Sequence, residues 1–196
     1  PPDSLGSNPP IIPLPSRNRW TRPLLQKKRT CDILHGFTDA NWASDSKRRS
    51  TGGFCFHLQG GAITWSCTRQ KAVSLSSTES EYYAASVATQ ECIWLRRLFK
   101  DFGRVDTGPT IIGEDNLGAI SLSKNPTMHG RSKHIETRWH FIRQHVEAKE
   151  IKLQYVPSSE NVADILTKPL PRPAFRKLRA KLMGEEAKPY KFEYTG

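Results

Sequence analysis

Four acidic residues stand out because each lies in a short polar segment that could bring a carboxylate into a shared pocket. The segments are 36–42, 76–84, 114–119 and 160–166, and the acids are Asp39, Glu81, Asp115 and Asp164. Carboxylates gathered in one pocket repel each other, and a divalent cation is the usual means of neutralising them. The sequence therefore predicts a Mg²⁺ site.

A pair of Mg²⁺ ions held about 3.5–4 Å apart could bind a phosphodiester, lower the pKa of an attacking water and stabilise the departing oxygen. Taken singly, Glu81 or Asp164 is better explained as a helix cap. Asp39 resists that explanation because it follows Phe37 on a strand expected to be central, where an unneutralised carboxylate is strongly unfavourable. The four acids together therefore favour phosphoryl chemistry at a metal site.

Hydrophobic alternation and turn residues predict three antiparallel strands in the first half of the chain, at 33–41, 51–58 and 62–67, the last continuing through 73. A long helix is predicted over 78–102, where apolar residues recur at steps of three and four without Gly or Pro. Ser77 or Thr78 is expected to cap this helix, with Glu81 in the capping-box position after Thr78.

In the second half of the chain, segments with the 2-residue hydrophobic period of strands alternate with segments that have the 3.6-residue period of helices. Strands are predicted at 110–114 and 151–156, and helices at 116–124, 135–148, 162–166 and 174–183. A meander followed by crossovers predicts an α/β fold with a mixed five-stranded sheet, three antiparallel then two parallel strands, and helices on both faces. Asp115 then ends a strand, where ligand sites of such sheets gather.

The net charge of +11 favours a polyanionic partner such as nucleic acid. We expect a disordered Pro-rich basic leader over 1–30, one domain over 31–170, and a basic C-terminal helix and tail over 171–196. Basic residues from Lys168 to Lys181 either bind a duplex backbone or belong to a helix that covers the sheet. The four cysteines lack C-x-x-C spacing, which is typical of a reduced, intracellular protein, and no membrane span is expected.

An ordered set of motifs strongly resembles the ribonuclease H domain of copia-type LTR retrotransposon Pol polyproteins. The motifs include FTDANWA at 37–43, RRSTGGF at 48–54, STESEYYA at 77–84, DNLGAI at 115–120 and ADILTKPL at 163–170. The resemblance runs from about residue 36 to residue 182. It implies the ribonuclease H-like fold, two Mg²⁺ or Mn²⁺ ions, and hydrolysis of the RNA strand of RNA/DNA hybrids during reverse transcription. The implied partners are the hybrid and the reverse transcriptase domain of the same polyprotein.

The resemblance also assigns roles to individual residues. It makes Asp39, Glu81, Asp115 and Asp164 the catalytic and metal-binding set. Glu79 competes with Glu81 for the second place, but Glu81 better matches the family pattern of glutamate, hydrophobic residue, any residue, alanine. Small polar groups and helix-start amides suit phosphates and 2′-hydroxyls, although turn and cap formation explains them equally well. The expected hybrid contacts are Asn41, Ser76, Ser77, Thr78 and Asn116.

Two departures from the family pattern accompany the resemblance. The loop 156–160 lacks the histidine that cellular relatives carry, and Glu114 stands where the family usually has a neutral residue. Strand alternation is expected to point Glu114 away from Asp115, although an added charge nearby would raise the pKa values of the site.

Other functions are compatible with the same residues. The main alternative is a catalytically silent or domesticated domain that binds nucleic acid or a polymerase. The integrase branch of the superfold fits less well, because its glutamate comes late in the chain. The expected location is intracellular, in a cytoplasmic retrotransposon particle or in the nucleus.

Overall fold

The computed structural model describes residues 33–104, 108–124, 133–185 and 192. The expected leader over 1–30 and much of the expected tail lie outside these residues. No helix among the described residues has both the length and the apolar character needed to span a bilayer. The described elements are β1 (His35–Asn41), β2 (Thr51–Leu58), β3 (Gly61–Arg69), α1 (Ser77–Asp101), β4 (Thr110–Glu114), α2 (Leu117–Lys124), α3 (Lys133–Glu147), β5 (Ile151–Tyr155), a 3-10 turn (Ser158–Glu160), α4 (Asp164–Thr167) and α5 (Arg172–Leu182).

The five strands form one mixed sheet in the order β3-β2-β1-β4-β5. The β1–β2 and β2–β3 pairs are antiparallel, as short turns between consecutive strands require. The β1–β4 and β4–β5 pairs are parallel and are joined by helical crossovers. The predicted sheet of three antiparallel strands followed by two parallel ones is therefore confirmed, with β1 at its centre.

Helices cover both faces of the sheet, as predicted. Helices α1, α2 and α3 pack on one face over a core that includes Phe56, Ile112 and Leu153. Helices α4 and α5 lie on the other face, where a smaller apolar cluster includes Phe37 and Ile111. Because side chains alternate along a strand, β4 contributes Ile112 to one core and Ile111 to the other. Both central strands, β1 and β4, are almost wholly buried.

The start of α1 differs from the prediction in a way that matters for Glu81. Ser76 is the N-cap, its Oγ accepting the Glu79 N–H at 3.2 Å, and Glu79 Oε2 accepts the Leu75 N–H at 2.8 Å. This reciprocal pair is a capping box that lies earlier in the chain than expected, so the prediction of Ser77 or Thr78 as the cap is wrong. Glu79 is thereby committed to the helix terminus, and Glu81 is left with no capping role.

Gly53 on β2 allows α4 to pack directly on the sheet. An ideal Cβ on Gly53 would lie 2.9 Å from Thr167 Cγ2 and 3.0 Å from Leu166 Cβ. Any larger residue would push α4 outward, since contacts this short do not occur between real carbon atoms. The glycine therefore helps set how close Asp164 and Thr167 come to β1.

Candidate metal and nucleic-acid site

Three of the four predicted acids converge at the carboxyl end of β4. Asp39 lies on β1, Asp115 directly follows β4, and Glu81 lies in the second turn of α1. Parallel pairing of Phe37 with Gly113 places Asp39 and Asp115 side by side two residues further on. One carboxylate oxygen from each of Asp39, Glu81 and Asp115 lies within 4.8 Å of the other two. We call these three residues the acidic trio.

Asp164, the first residue of α4, approaches the site from the face of the sheet opposite α1. It interacts with Asp39 directly, through a side-chain hydrogen bond, and also through Lys168, whose Nζ lies 3.1 Å from Asp164 Oδ1 and 3.3 Å from Asp39 Oδ1. Thr167 Oγ1 donates a hydrogen bond to the other Asp39 oxygen. Asp39 therefore belongs both to the acidic trio and to a second cluster with Asp164, and it joins all four predicted acids into one site.

Two polar residues of the loop between β5 and α4 hold the site together. Asn161 donates from Nδ2 to Thr38 O at 2.9 Å and accepts the Ala163 N–H on Oδ1 at 3.1 Å. Ser158 donates from Oγ to Asp115 Oδ2 at 2.6 Å. The sequence pattern singled out neither residue. Their only signal was their position in the loop that lacks the family histidine, next to the segment carrying Asp164.

Glu114 is a fifth carboxyl group at the site, and after burial its charge is the next largest cause of the raised pKa of Glu81, as expected of an added charge at this position. Its side chain does leave the Asp115 side of β4, but the opposite face is covered by α1, which carries Glu81. Glu114 is fully buried, and its Oε1 accepts the Asn116 N–H at 3.0 Å. Burial raises the pKa of Glu114 well above its usual value. Alternation therefore moves Glu114 towards Glu81 and does not remove it from the site.

The electrostatics of the site favour either protonation or a bound cation. Burial, followed by the charges of Glu114 and Asp39, raises the pKa of Glu81 to about 11. Burial and the neighbouring Asp39 raise the pKa of Asp164 to about 7. Glu81 and Asp164 thus hold a proton more tightly than a free acid would, because ionising either one adds a charge to a crowded, desolvated cluster.

The donor atoms fit a hard divalent cation. Mg²⁺ and Mn²⁺ prefer carboxylate oxygens, and the acidic trio supplies three that converge. Glu81 Oε2 is buried and lacks a hydrogen-bond partner among the described residues, which a cation ligand would explain. The identity and the number of ions do not follow from these contacts. Asp39, Glu81 and Asp115 are the residues able to hold one ion, with Asp164 beside them.

The five residues expected to contact a hybrid surround the start of α1, the start of α2 and the end of β1. Ser76 caps α1, Asn116 Oδ1 accepts the Ala119 N–H at 3.0 Å as the cap of α2, and Asn41 Nδ2 donates to Thr167 O at 3.3 Å. An ideal Cβ on Gly118 would lie 3.0 Å from both Asn116 Oδ1 and Thr78 Oγ1, so the two helix starts are adjacent. Ser77 is exposed beside them. Binding of a hybrid by these residues stays a prediction.

The basic residues after α4 have two different environments. Helix α5 packs on β3, and the Nζ atoms of Lys177 and Lys181 both pair with Glu160. These contacts favour the covering-helix interpretation for α5. Lys168 instead reaches the acids, which neither interpretation of the tail anticipated.

Comparison with known proteins places the chain in a family. No family model matches it. It is 43% identical over 144 residues to a retrovirus-related Pol polyprotein from transposon TNT 1-94 of Nicotiana tabacum, covering 73% of this chain. It is 39% identical over 157 residues to the polyprotein from transposon RE1 of Arabidopsis thaliana, covering 80% of this chain. The chain spans only 11% of the length of either relative.

The structure resembles a solved ribonuclease H. LC11-RNase H1 in complex with an RNA/DNA hybrid matches with a TM-score of 0.50 and 14% sequence identity, over 68% of this chain and 93% of that one. The strand order, the helices on both faces and this likeness define a ribonuclease H-like fold. The chain thus matches a ribonuclease H domain of a Pol polyprotein: its sequence relatives are retrovirus-related Pol polyproteins from plant copia-type transposons, and its fold is ribonuclease H-like.

Proposed function

We propose that this domain is a metal-dependent endoribonuclease that hydrolyses the RNA strand of RNA/DNA hybrids during retrotransposon reverse transcription. The observation that carries the proposal is the convergence of Asp39, Glu81 and Asp115, with Asp164 tied to Asp39. Burying several carboxylates together is unfavourable unless a cation neutralises them. A folded protein that keeps such a cluster is therefore a candidate for using the bound cation in catalysis. The membership of the chain in the Pol family supports the choice of substrate.

The proposed catalytic residues are Asp39, Glu81, Asp115 and Asp164, which would hold two Mg²⁺ or Mn²⁺ ions. When bound, such ions polarise a phosphodiester and lower the pKa of a water molecule. The protein itself keeps the carboxylates close together and excludes bulk water. Asn161, bonded to Thr38 O on β1, and the buried Glu114 help to hold this arrangement. Ser158, bonded to Asp115, restricts the orientation of that carboxylate.

The substrate and the partner follow from the same proposal. Asn41, Ser76, Ser77, Thr78 and Asn116 would contact the hybrid through hydroxyls, amides and helix-start N–H groups, which read 2′-hydroxyls and backbone shape more than base sequence. The proposed protein partner is the reverse transcriptase domain of the same polyprotein. The proposed location is a retrotransposon particle in the cytoplasm, or the nucleus.

Cleavage of an end-labelled RNA strand in a hybrid tests this function. We expect Mg²⁺-dependent cuts in the RNA strand, none in duplex DNA, and loss of cutting in EDTA. Asp115→Asn should lower the rate at least about a hundredfold, since it removes one ligand charge from the acidic trio. Hybrid binding without turnover in either Mg²⁺ or Mn²⁺ would support the silent binding domain instead. Cutting that survives both EDTA and Asp115→Asn would reject the metal-dependent assignment.

A further inference from the structure

Lys168 is the one described cation that pairs with the predicted metal ligands. Its Nζ lies between Asp39 Oδ1 at 3.3 Å and Asp164 Oδ1 at 3.1 Å. Both carboxylates are nearly or wholly buried, so the ammonium stands beside them where solvent water is largely excluded, and it serves as their counter-ion. A positive charge held between two acid oxygens is also what a bound divalent ion would supply there.

The two halves of the site are therefore unequal. Among the described residues, Glu81 and Asp115 form no ion pair with a Lys or Arg. The charge of Lys168 acts on Glu81 only as the smallest of several influences, and it lowers the pKa of Glu81 against larger upward effects. In the half formed by Asp39 and Asp164, Lys168 already offsets part of the negative charge. We propose that the Lys168 ammonium occupies the second cation position, so that one divalent ion binds freely at the acidic trio and the next binds only by displacing the lysine.

The local structure keeps Lys168 in place but lets it leave. Lys168 follows Asp164 by four residues at the end of α4, a spacing that brings their side chains together. Thr167, the preceding residue, engages the other oxygen of Asp39, which fixes the carboxylate towards the lysine. The Lys168 side chain is 33% exposed, in contrast to its two partners. It can swing into solvent by rotation of its own stem, without unfolding α4.

This inference rests on the proposed two-ion function and gives it an order of events. Metal-free protein tolerates the crowded acids because the chain supplies its own cation to Asp39 and Asp164. A divalent ion carries twice the charge of an ammonium group, and at a high enough concentration it displaces the Lys168 ammonium from between Asp39 and Asp164. Lys168 therefore sets the concentration of divalent ion at which the site is filled.

Titration with Mn²⁺ alone tests the proposal, with free Mn²⁺ followed by electron paramagnetic resonance and heat by calorimetry. We expect the wild-type domain to bind two ions with unequal dissociation constants. Lys168→Met should lower the second dissociation constant by about tenfold or more and change the first clearly less, since Asp39 is the trio member that pairs with Lys168. Lys168→Arg keeps the charge and should keep the weak second site. Lys177→Met is the matched control, because Lys177 lies on α5 and pairs with Glu160, away from the acids of the site.

Two results would overturn the proposal: a second-ion affinity in Lys168→Met equal to or weaker than that of wild type, or an equal change at both sites. Circular dichroism checks that the variants fold. Lys168→Gln, which keeps a polar end group, replaces Lys168→Met if that variant does not fold. If ions bind as expected but the hybrid is not cleaved, the proposed nuclease function is rejected and the proposed role of Lys168 is retained. If the hybrid is cleaved but the second-ion affinity of Lys168→Met equals that of wild type, the role of Lys168 is rejected and the nuclease function is retained. A wild-type domain that binds no Mn²⁺ would reject both.

Discussion

Asp39→Asn is expected to reduce hybrid cleavage by at least about a thousandfold, equivalent to ~4 kcal/mol of transition-state stabilisation. The effect should exceed that of Asp164→Asn, because Asp39 belongs to both the acidic trio and the Lys168 cluster, whereas Asp164 belongs to one. Single-turnover cleavage of a labelled hybrid measures the rates. Hybrid affinity in the absence of divalent ions should change little, since Asp39 is buried and its loss removes no surface group.

Asp101→Asn is the matched control for this substitution. Asp101 is exposed at the last residue of α1, 20 residues along the helix from Glu81 and so about 30 Å away. We expect its cleavage rate to equal that of wild type. A rate for Asp39→Asn within tenfold of the Asp101→Asn rate would show that the central carboxylate has no catalytic function.

Glu81→Gln is expected to stabilise the metal-free domain, and increasingly so as the pH rises. The folded protein holds a proton on Glu81, whose pKa is raised from 4.5 to about 11, while the unfolded chain releases it near pH 4.5. The folded state therefore binds more protons between these values, and the wild-type free energy of unfolding falls as pH rises, by at most ~1.4 kcal/mol per pH unit for one proton. A glutamine amide at this position does not titrate, so the variant escapes this loss.

Urea unfolding in EDTA at several pH values between about 6 and 8 measures the difference. Saturating Mg²⁺ should reverse the order, because ligand binding to the folded state stabilises wild type and the variant has lost a ligand. Glu147→Gln, whose side chain is 71% exposed, should show neither effect. A stability difference between Glu81→Gln and wild type that does not change with pH or with Mg²⁺ would contradict the electrostatic account of the site.

The sequence was sufficient for the fold, while the metal-binding role of the four acids stays a prediction. The 2-residue and 3.6-residue periods identify the strands and helices, and the rules for connecting them leave few topologies. The proximity of Asp39 and Asp115 is predictable from the sequence, because parallel strands end at the same edge of a sheet. Glu81 could be chosen over Glu79 from a family pattern, and the structure gives the physical reason, since Glu79 is bonded to the Leu75 N–H.

Other parts of the site depend on side-chain packing that no spacing rule describes. The capping role of Ser76 required knowing where α1 begins to within one residue, which propensity does not resolve. For Glu114, alternation predicts the face that the side chain takes, but it does not predict that α1 and Glu81 cover that face. Lys168 was grouped with the tail because its position follows from the end of α4 and from the rotamer of a long side chain.

A crystal of the domain soaked in Mn²⁺ provides the most direct measurement of the central claim, that divalent ions relieve the crowding of these carboxylates. Anomalous scattering locates Mn²⁺ independently of any assumption about the reaction. At low Mn²⁺ we expect an anomalous peak in contact with oxygens of Asp39, Glu81 and Asp115. At higher Mn²⁺ we expect a second anomalous peak between Asp39 and Asp164, with Lys168 displaced. Well-ordered carboxylates with no peak among them at saturating Mn²⁺ would contradict it.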